Sequence, residues 1–527
     1  MTSPGVRWTW TGFNEGDFIP ALSDFRPTDR ESVREMMAGR YLLASRIVDT
    51  GGVSPFAIEI EHEDWLEELH VFSWLRHFRD ARDGGERRFA VMLVLDWIGR
   101  HGAFDPQSWQ IGLSARRVLN WLRHIGLLLD GANPDEARAI KRSLNTQIHA
   151  LRIRWRLATE PVDRLLAVAA LLAVALSSEG ESGVDRWYTQ IMKLIGEQFS
   201  ADGMHLSRGP GVQFVLLTQL VTVRQALSRR HPDRAQALGE RLDAMHRALD
   251  SLMLGTGEPA YFNGCGPLQV DLVHSVQAQS TERRAGTGTV GGYGVLVGGQ
   301  SVVVADSGHV PPLAFSARAH ASALAFEFSH GHELVVGNCG PAPAGLWEGG
   351  EVFRRSIAHS GLTIDDESNA NVHDRWPLAG YLSPIGPRPS VRADPEAAGL
   401  VMVCDAYLDR HGVGIERRLT LIAGGNTLVG QDRLVVPQGR RPSGHCVIRF
   451  HLAPGAEVER VQGQHVINIQ LKSGRKWAFV WEGAVALIEE SVRHTAHFGL
   501  ARSSQIVLEV QADGDREVSW IFSRHDS

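Results

Sequence analysis

The stretch YGVLVGGQSVVVA (residues 293–305) decides the fold class. Two apolar runs flank the glycines Gly298-Gly299, which is the pattern of a β-hairpin. Downstream the hydrophobic period stays at two. Strands are predicted at 323–328, 333–337, 400–406, 415–422, 447–452, 465–471, 476–481, 506–510 and 517–522. Turn segments such as 329–332, Gly424-Gly425-Asn426 and Ser473-Gly474 separate them. Strands that follow one another without helices between them imply an antiparallel sandwich or barrel.

Upstream the period is near 3.6. In EDWLEELHVFSWLRHFR (residues 63–79), Trp65, Leu66, Leu69, Phe72, Leu75 and Phe78 recur by threes and fours on one helical face. Segments 87–99, 109–129, 134–157, 162–176, 184–199, 212–227 and 235–254 repeat the type, with Pro134 and Pro161 as starts and Gly180 and Gly183 as breaks. So many helices cannot share one core, and antiparallel pairs wrapped into a toroid accommodate them. The expectation is an α+β multidomain chain: an N-terminal (α/α) toroid over 1–255, an inter-domain linker at 256–290, and a C-terminal antiparallel β-sandwich over 291–527.

Composition sets outer limits. A chain of 527 residues exceeds the roughly 250–300 that one core supports. With 54 Lys+Arg against 60 Asp+Glu, the net charge of −6 argues against nucleic-acid binding through bulk positive charge. Cys265, Cys339, Cys404 and Cys446 include no CxxC pair, which argues against a disulfide scaffold or a thiolate zinc site. The longest apolar run, residues 165–176, is shorter than the roughly 20 residues of a membrane span and reads as a buried helix. Residues 1–20 show neither the basic nor the apolar region of a secretory signal.

Several segments could carry chemistry. The loop 201–213 holds His205, Arg208 and Gln213 before a helix N-terminus, where free N–H groups favour anions. Tyr261 and Asn263 lie in a glycine-flanked loop near the join of the two halves. His320, Asn338 and His359 are 18 and 21 residues apart, a spacing that neighbouring strands could bring to one sheet end. Two imidazoles and an oxygen would suit a divalent ion, zinc or calcium. Arg117 and Arg123 alternate with apolar and aromatic residues in basic helical segments, which suits a solvated helix face and could also line a cleft for an acidic polymer. The motifs of phosphate loops, GxSxG hydrolases and HExxH metalloproteases are absent from the sequence.

Taken together, the segments LHVFSWLRH (69–77), SARRVLNWL (114–122), DGMHLSRGPGVQ (202–213), YFNG (261–264), AHASALAFEFSHGHELVVGNCG (319–340), RRSIAHSGLTIDD (354–366), IERRLTL (415–421) and VIRFHLAP (447–454) resemble the heparinase II/III-like family of polysaccharide lyases. The resemblance implies an (α/α) toroid joined to a β-sandwich, a place at the cell envelope or periplasm, and an acidic, uronic-acid-containing polysaccharide as partner. The implied reaction is β-elimination in the cleft between toroid and sandwich. It requires a cation or amide on the uronate carboxylate, a base for the C5 proton and an acid for the leaving oxygen. On this reading His359, Tyr261 and Arg208 are catalytic candidates. Gln213, Asn263, Arg117, Arg123, His205 and Arg354 are substrate-binding candidates, and His320, Asn338 and His359 are metal candidates. Arg117, Arg123, Arg208 and Arg354 are expected to cluster in the cleft.

The chain departs from the family pattern at four places. Gly211-Val212-Gln213 stands where the family carries a Tyr-His pair, and an Asn-His pair is missing at 160–163. His320-Ala321-Ser322 replaces His-Ala-Asp, and Asn338 stands for an acidic metal ligand. The alternative expectation is therefore a non-catalytic, envelope-associated protein that binds acidic glycan and has lost the base.

Overall fold

The computed structural model describes residues 18–81, 84–180, 182–284, 286–343, 350–496 and 499–525. Of the stretch read for an export signal, residues 1–17 lie outside that set. The chain divides into two compact units: residues through 198 together with 215–243, and residues 199–214 together with everything from 244 onward.

The first unit is helical. Asn133 accepts hydrogen bonds from the N–H groups of Asp135 and Glu136, while Glu136 reaches back to the Asn133 N–H. With Pro134 in the first turn, this capping box fixes the start of helix Pro134–Arg154. Helix Pro161–Leu176 buries every residue from 165 to 176, because a helix apolar on all sides is stable only inside a core. It packs on Ile111–Arg123 and Val184–Gln198. No described helix is long and apolar enough to cross a membrane.

The periodic stretch 63–79 is not one helix. Helix Glu63–Val71 ends at Phe72, which is left-handed at φ 61°, and a 3-10 segment, Ser73–Asp80, follows. Phe72 is completely buried, with Trp74 at 5.0 Å and Trp97 and Trp121 edge-on at 5.8 and 5.5 Å. Aromatic packing outweighs the backbone preference there. The stretch 109–129 likewise divides, at His124, into Ile111–Arg123 and Ile125–Asp130.

The second unit is built on two large antiparallel sheets. One runs, in spatial order, Ser390–Asp394, Gly399–Cys404, Gly414–Ile422, Thr427–Val435, Arg516–Arg524, Lys476–Glu482, Val466–Gln470 and Glu457–Arg460. The other runs Val485–Thr495, Gly499–Gln511, His445–Leu452, Glu333–Gly337, Phe326–His330, Ser301–Asp306, Tyr293–Gly298 and Gly288–Val290, with Leu362–Ile364 also pairing on His445–Leu452. Phe326, Phe328 and Phe450 from the second sheet meet Trp477, Phe479, Trp520 and Phe522 from the first in one buried core. Burying each such side chain contributes about 1.5–3 kcal/mol before entropy is counted.

The opening hairpin forms with Gly298 opposite Ser301, so its two-residue turn is Gly299-Gln300 rather than Gly298-Gly299. Gly299 has φ +54°, and a Cβ there would lie 2.0 Å from the Gly424 carbonyl oxygen. The segment read as a linker is packed. Ala260, Tyr261, Phe262 and Cys265 are buried, Val270–Gln277 is a helix, and Gly288–Val290 is a strand of the larger sheet.

Candidate functional site

The site lies in the second unit and begins with a carboxylate between two phenylalanines. Strand Phe326–His330 is buried throughout, so Glu327 must find its partners inside. Its Oε2 accepts from the Tyr261 N–H at 2.8 Å, and its Oε1 from the Asn338 N–H and Arg493 Nη1, both at 2.6 Å. Arg493 also donates to the Asn338 carbonyl at 2.6 Å, and its guanidinium lies 3.9 Å from the Tyr261 ring centroid. A buried carboxylate is stable only when paired and hydrogen-bonded in this way.

From this node the candidates that are distant in sequence come together. Asn338 Nδ2 donates to the Tyr261 carbonyl at 3.1 Å, and Asn338 Oδ1 accepts from the Ser360 N–H at 2.9 Å. Asn263, left-handed at φ 48°, accepts from the His320 N–H at 3.2 Å and donates to the Tyr293 hydroxyl at 2.7 Å. The His320 and His359 rings are in direct contact, Nδ1 to Nε2, at 3.1 Å.

That contact has one consistent tautomer. His359 Nδ1 lies 2.9 Å from the Arg355 carbonyl, which only accepts, so Nδ1 carries the hydrogen and Nε2 is bare. His320 Nδ1–H then donates to His359 Nε2, and the lone pair of His320 Nε2 points away from the contact. Burial first, then the neighbouring His359 and Arg354, holds His320 well below the ordinary imidazole range. Burial pulls His359 down to about 4. Both rings are neutral at neutral pH, and His320 Nε2 is the basic atom of the pair. His359, the residue favoured from sequence for proton transfer, has both nitrogens engaged and orients His320 instead.

Tyr261 is not a ready base. Its hydroxyl donates to Glu258 at 3.1 Å, and burial pushes the phenol well above its usual value. Arg354 is half-buried and donates to the carbonyls of Ala319, Gly380 and Ser316 at 3.0, 2.7 and 3.3 Å. It has no carboxylate among these hydrogen-bond partners, although the Glu351 charge acts on it, and its own charge acts on His320.

Arg208, Gln213 and His205 are spent on structure. Arg208 donates to the carbonyls of Gly291 and His309 at 2.8 and 3.0 Å and to Asp306 at 2.5 Å. Its guanidinium lies 4.4 Å from the Tyr293 ring centroid, and a Cβ on Gly308 would come within 2.2 Å of its Cζ. Gln213 donates to the carbonyls of Gly203 and Met245 and accepts from the His205 N–H at 3.0 Å. His205 is fully buried, bonded to Ser207 at 2.8 Å, with burial lowering it to about 3. These side chains fasten the loop 199–214 and do not present anion donors, which corrects their expected role. Asn263 is corrected on the same ground, since its amide joins Tyr293 and His320.

Arg117 and Arg123 belong to the first unit and are buried within it. Arg117 donates to Gln147, Ser114 and the carbonyls of His70 and Ser108. Arg123 donates to Asn120, Gln219 and Thr222. Burial brings each down to about 9. The period that put them on a helix was read correctly, but the face they occupy is the core.

The expected zinc or calcium ion would have to displace bonds that these residues already make. The facing nitrogens of His320 and His359 bond to each other, and the Asn338 amide oxygen is held by Ser360. Among the described residues, no three His, Cys, Asp or Glu side chains form a group able to hold a metal. Sequence reading also missed Glu327, Arg493, Asp306 and Glu258. The one available signal was Glu327, a charge between two phenylalanines in a predicted strand.

Residues 281–521 match the model of the heparinase II/III-like C-terminal domain. FtsZ-localized protein C of Caulobacter vibrioides is 27% identical, covering 95% of this chain and 89% of its own. Heparinase III superposes with a TM-score of 0.69 at 12% identity, over 90% of this chain and 80% of its own. A heparan sulfate lyase HepC mutant of Pedobacter heparinus superposes with 0.62 at 14%, over 98% and 86%. The helical toroid followed by an antiparallel sandwich is thus the heparinase fold, and residues 281–521 form a heparinase II/III-like C-terminal domain.

Proposed function

We propose that the protein is a polysaccharide lyase acting on an acidic, uronic-acid-containing glycan by β-elimination, with His320 as the proton-transfer group. The observation that carries this reading is the neutral His320–His359 pair with its outward lone pair, in a heparinase-type domain. His320 Nε2 takes the C5 proton of the uronate. The electron pair forms the C4–C5 double bond as the C4–O bond breaks, and the same imidazolium returns its proton to the departing glycosidic oxygen. Arg354 supplies positive charge for the carboxylate beside the acidic C–H. His359, anchored on the Arg355 carbonyl, fixes the tautomer and direction of His320.

A second reading is favoured by a different observation: Tyr261, Arg208, Gln213 and Asn263 are committed to internal hydrogen bonds. On that reading the chain binds acidic glycan at the cell envelope without cutting it, in the company of the division apparatus, as the name of its Caulobacter relative suggests. Incubating the full chain with a panel of uronic-acid polysaccharides separates the two. The lyase reading expects new reducing ends together with the ultraviolet absorbance of an unsaturated uronate. Glycan retention without that absorbance, weakened by salt, supports the binding reading and overturns the first.

A further inference from the structure

We propose that a cavity in the sandwich unit, lined by residues other than the histidine pair itself, binds an uncharged saccharide residue. The cavity, open on one side, has a volume of about 470 Å³, within the range of small-molecule sites. One wall is sheet. Strand register pairs His451 with Gln505 and Ser491 with Ser503, and alternation puts these four side chains on one face. Glu490 and Arg502, one residue out of step, also line the cavity, and their opposite charges offset each other. The facing wall is Val352, Phe353, Ile357 and Ala358, from two 3-10 turns.

The sheet wall offers acceptors. His451 Nε2 lies 3.1 Å from the Ile357 carbonyl, so it carries the hydrogen, and His451 Nδ1 accepts from the Ser491 hydroxyl at 2.7 Å. Ser503 Oγ donates to the Leu452 carbonyl at 2.5 Å. Both hydroxyls have given away their hydrogens and present lone pairs. Gln505 Nε2 donates to Glu489 at 3.1 Å, which leaves Gln505 Oε1 buried with no partner. An orphaned buried acceptor costs about 1–3 kcal/mol, and a ligand donor would remove that cost.

These walls specify the ligand's chemistry. It must bring several O–H or N–H donors to one side and an apolar surface to the other. An anion is disfavoured because it would face three acceptors and the Glu490 carboxylate. A neutral pyranose meets both demands, with hydroxyls on its edge and C–H groups on its face. An N-acetyl group adds an N–H donor and a methyl for the apolar wall. This sugar differs in charge from the acidic glycan proposed for the histidine pair, and the proposal stands without that reading.

The test uses the full chain with N-acetylglucosamine and methyl β-glucoside, followed by saturation-transfer NMR. The expected result is binding with a dissociation constant on the order of millimolar. Gln505→Leu should weaken it about fivefold, the worth of one hydrogen bond. Ala358→Trp, which fills the cavity, should weaken it at least about tenfold. Bound sugar should also slow alkylation of Cys339, which lines the cavity. Where Ala358→Trp fails to fold, Gln505→Leu and the Cys339 protection decide. No transfer from either sugar overturns the proposal. So do transfer undiminished in Gln505→Leu, and choline binding there in place of sugar.

Discussion

Replacing Glu327 by alanine is expected to destabilise the sandwich unit by about 3–5 kcal/mol, the cost of leaving a buried charge without its partner. Arg493 is 7% exposed and would lose its bond to the Glu327 carboxylate, while the N–H groups of Tyr261 and Asn338 would lose their acceptor. Glu327→Gln keeps the shape and one acceptor oxygen, so it should cost less. The double variant Glu327→Gln with Arg493→Met should recover part of the loss, because the two sites share one network. Urea unfolding of the three variants measures this. A Glu327→Ala variant within about 0.5 kcal/mol of wild type would show that the node does not hold the site.

The second large effect is acid unfolding. Burial holds His205 and His451 at about 3 and His359 at about 4, and keeps His320 well below its ordinary value of 6.5. In the unfolded chain all four titrate near the ordinary value. Between the two values the unfolded chain binds protons that the folded one does not. Stability therefore rises with pH, is fully present above about 6.5, and is lost as pH falls. At pH 5 the loss is about 2 kcal/mol for each histidine that stays neutral, and four approach the whole stability of a typical domain. His320 and His359 titrate as a pair and share their steps. The urea midpoint should fall steeply from pH 7 to 5, and His451→Gln should flatten the slope. A midpoint that is level over that range would contradict the buried, neutral state of these rings.

How far the sequence could be read follows from where the buried polar residues lie. Strand Glu333–Gly337 was legible to the residue because its burial is apolar. Strand Thr427–Val435 was not, since its inward positions include Gly430 and Asp432. Asp432 binds Arg417 at 2.6 and 3.0 Å, and Gly430 makes room for Trp520, whose ring a Cβ would meet at 2.0 Å. Such pairings are long-range and leave no period. Edge strand Val485–Thr495 was missed for a different reason: it is mostly exposed, so its polar residues hide the alternation.

The site shows the same limit. Spacing pointed to His320, Asn338 and His359 as neighbours; hydrogen bonds join the two histidines to each other and Asn338 to Ser360, next to His359. Spacing could not say which nitrogen stays free, because that depends on the Arg355 carbonyl. Nor could it tell that Arg208 would be claimed by Asp306, ninety-eight residues away. Charged residue types marked the right neighbourhood, while their roles were set by partners distant in the chain.

The central claim is that His320 Nε2 moves the proton. The most direct measurement is the rate of unsaturated-uronate formation by wild type and His320→Gln on the best substrate of the glycan panel, with folding verified by urea unfolding. The account predicts that His320→Gln loses about 10²–10⁴-fold. It also predicts that the wild-type rate stays level on acidification through the ordinary imidazole value of 6.5, falling only below it, since His320 is held neutral there. A folded His320→Gln variant that forms the product at the wild-type rate would contradict it.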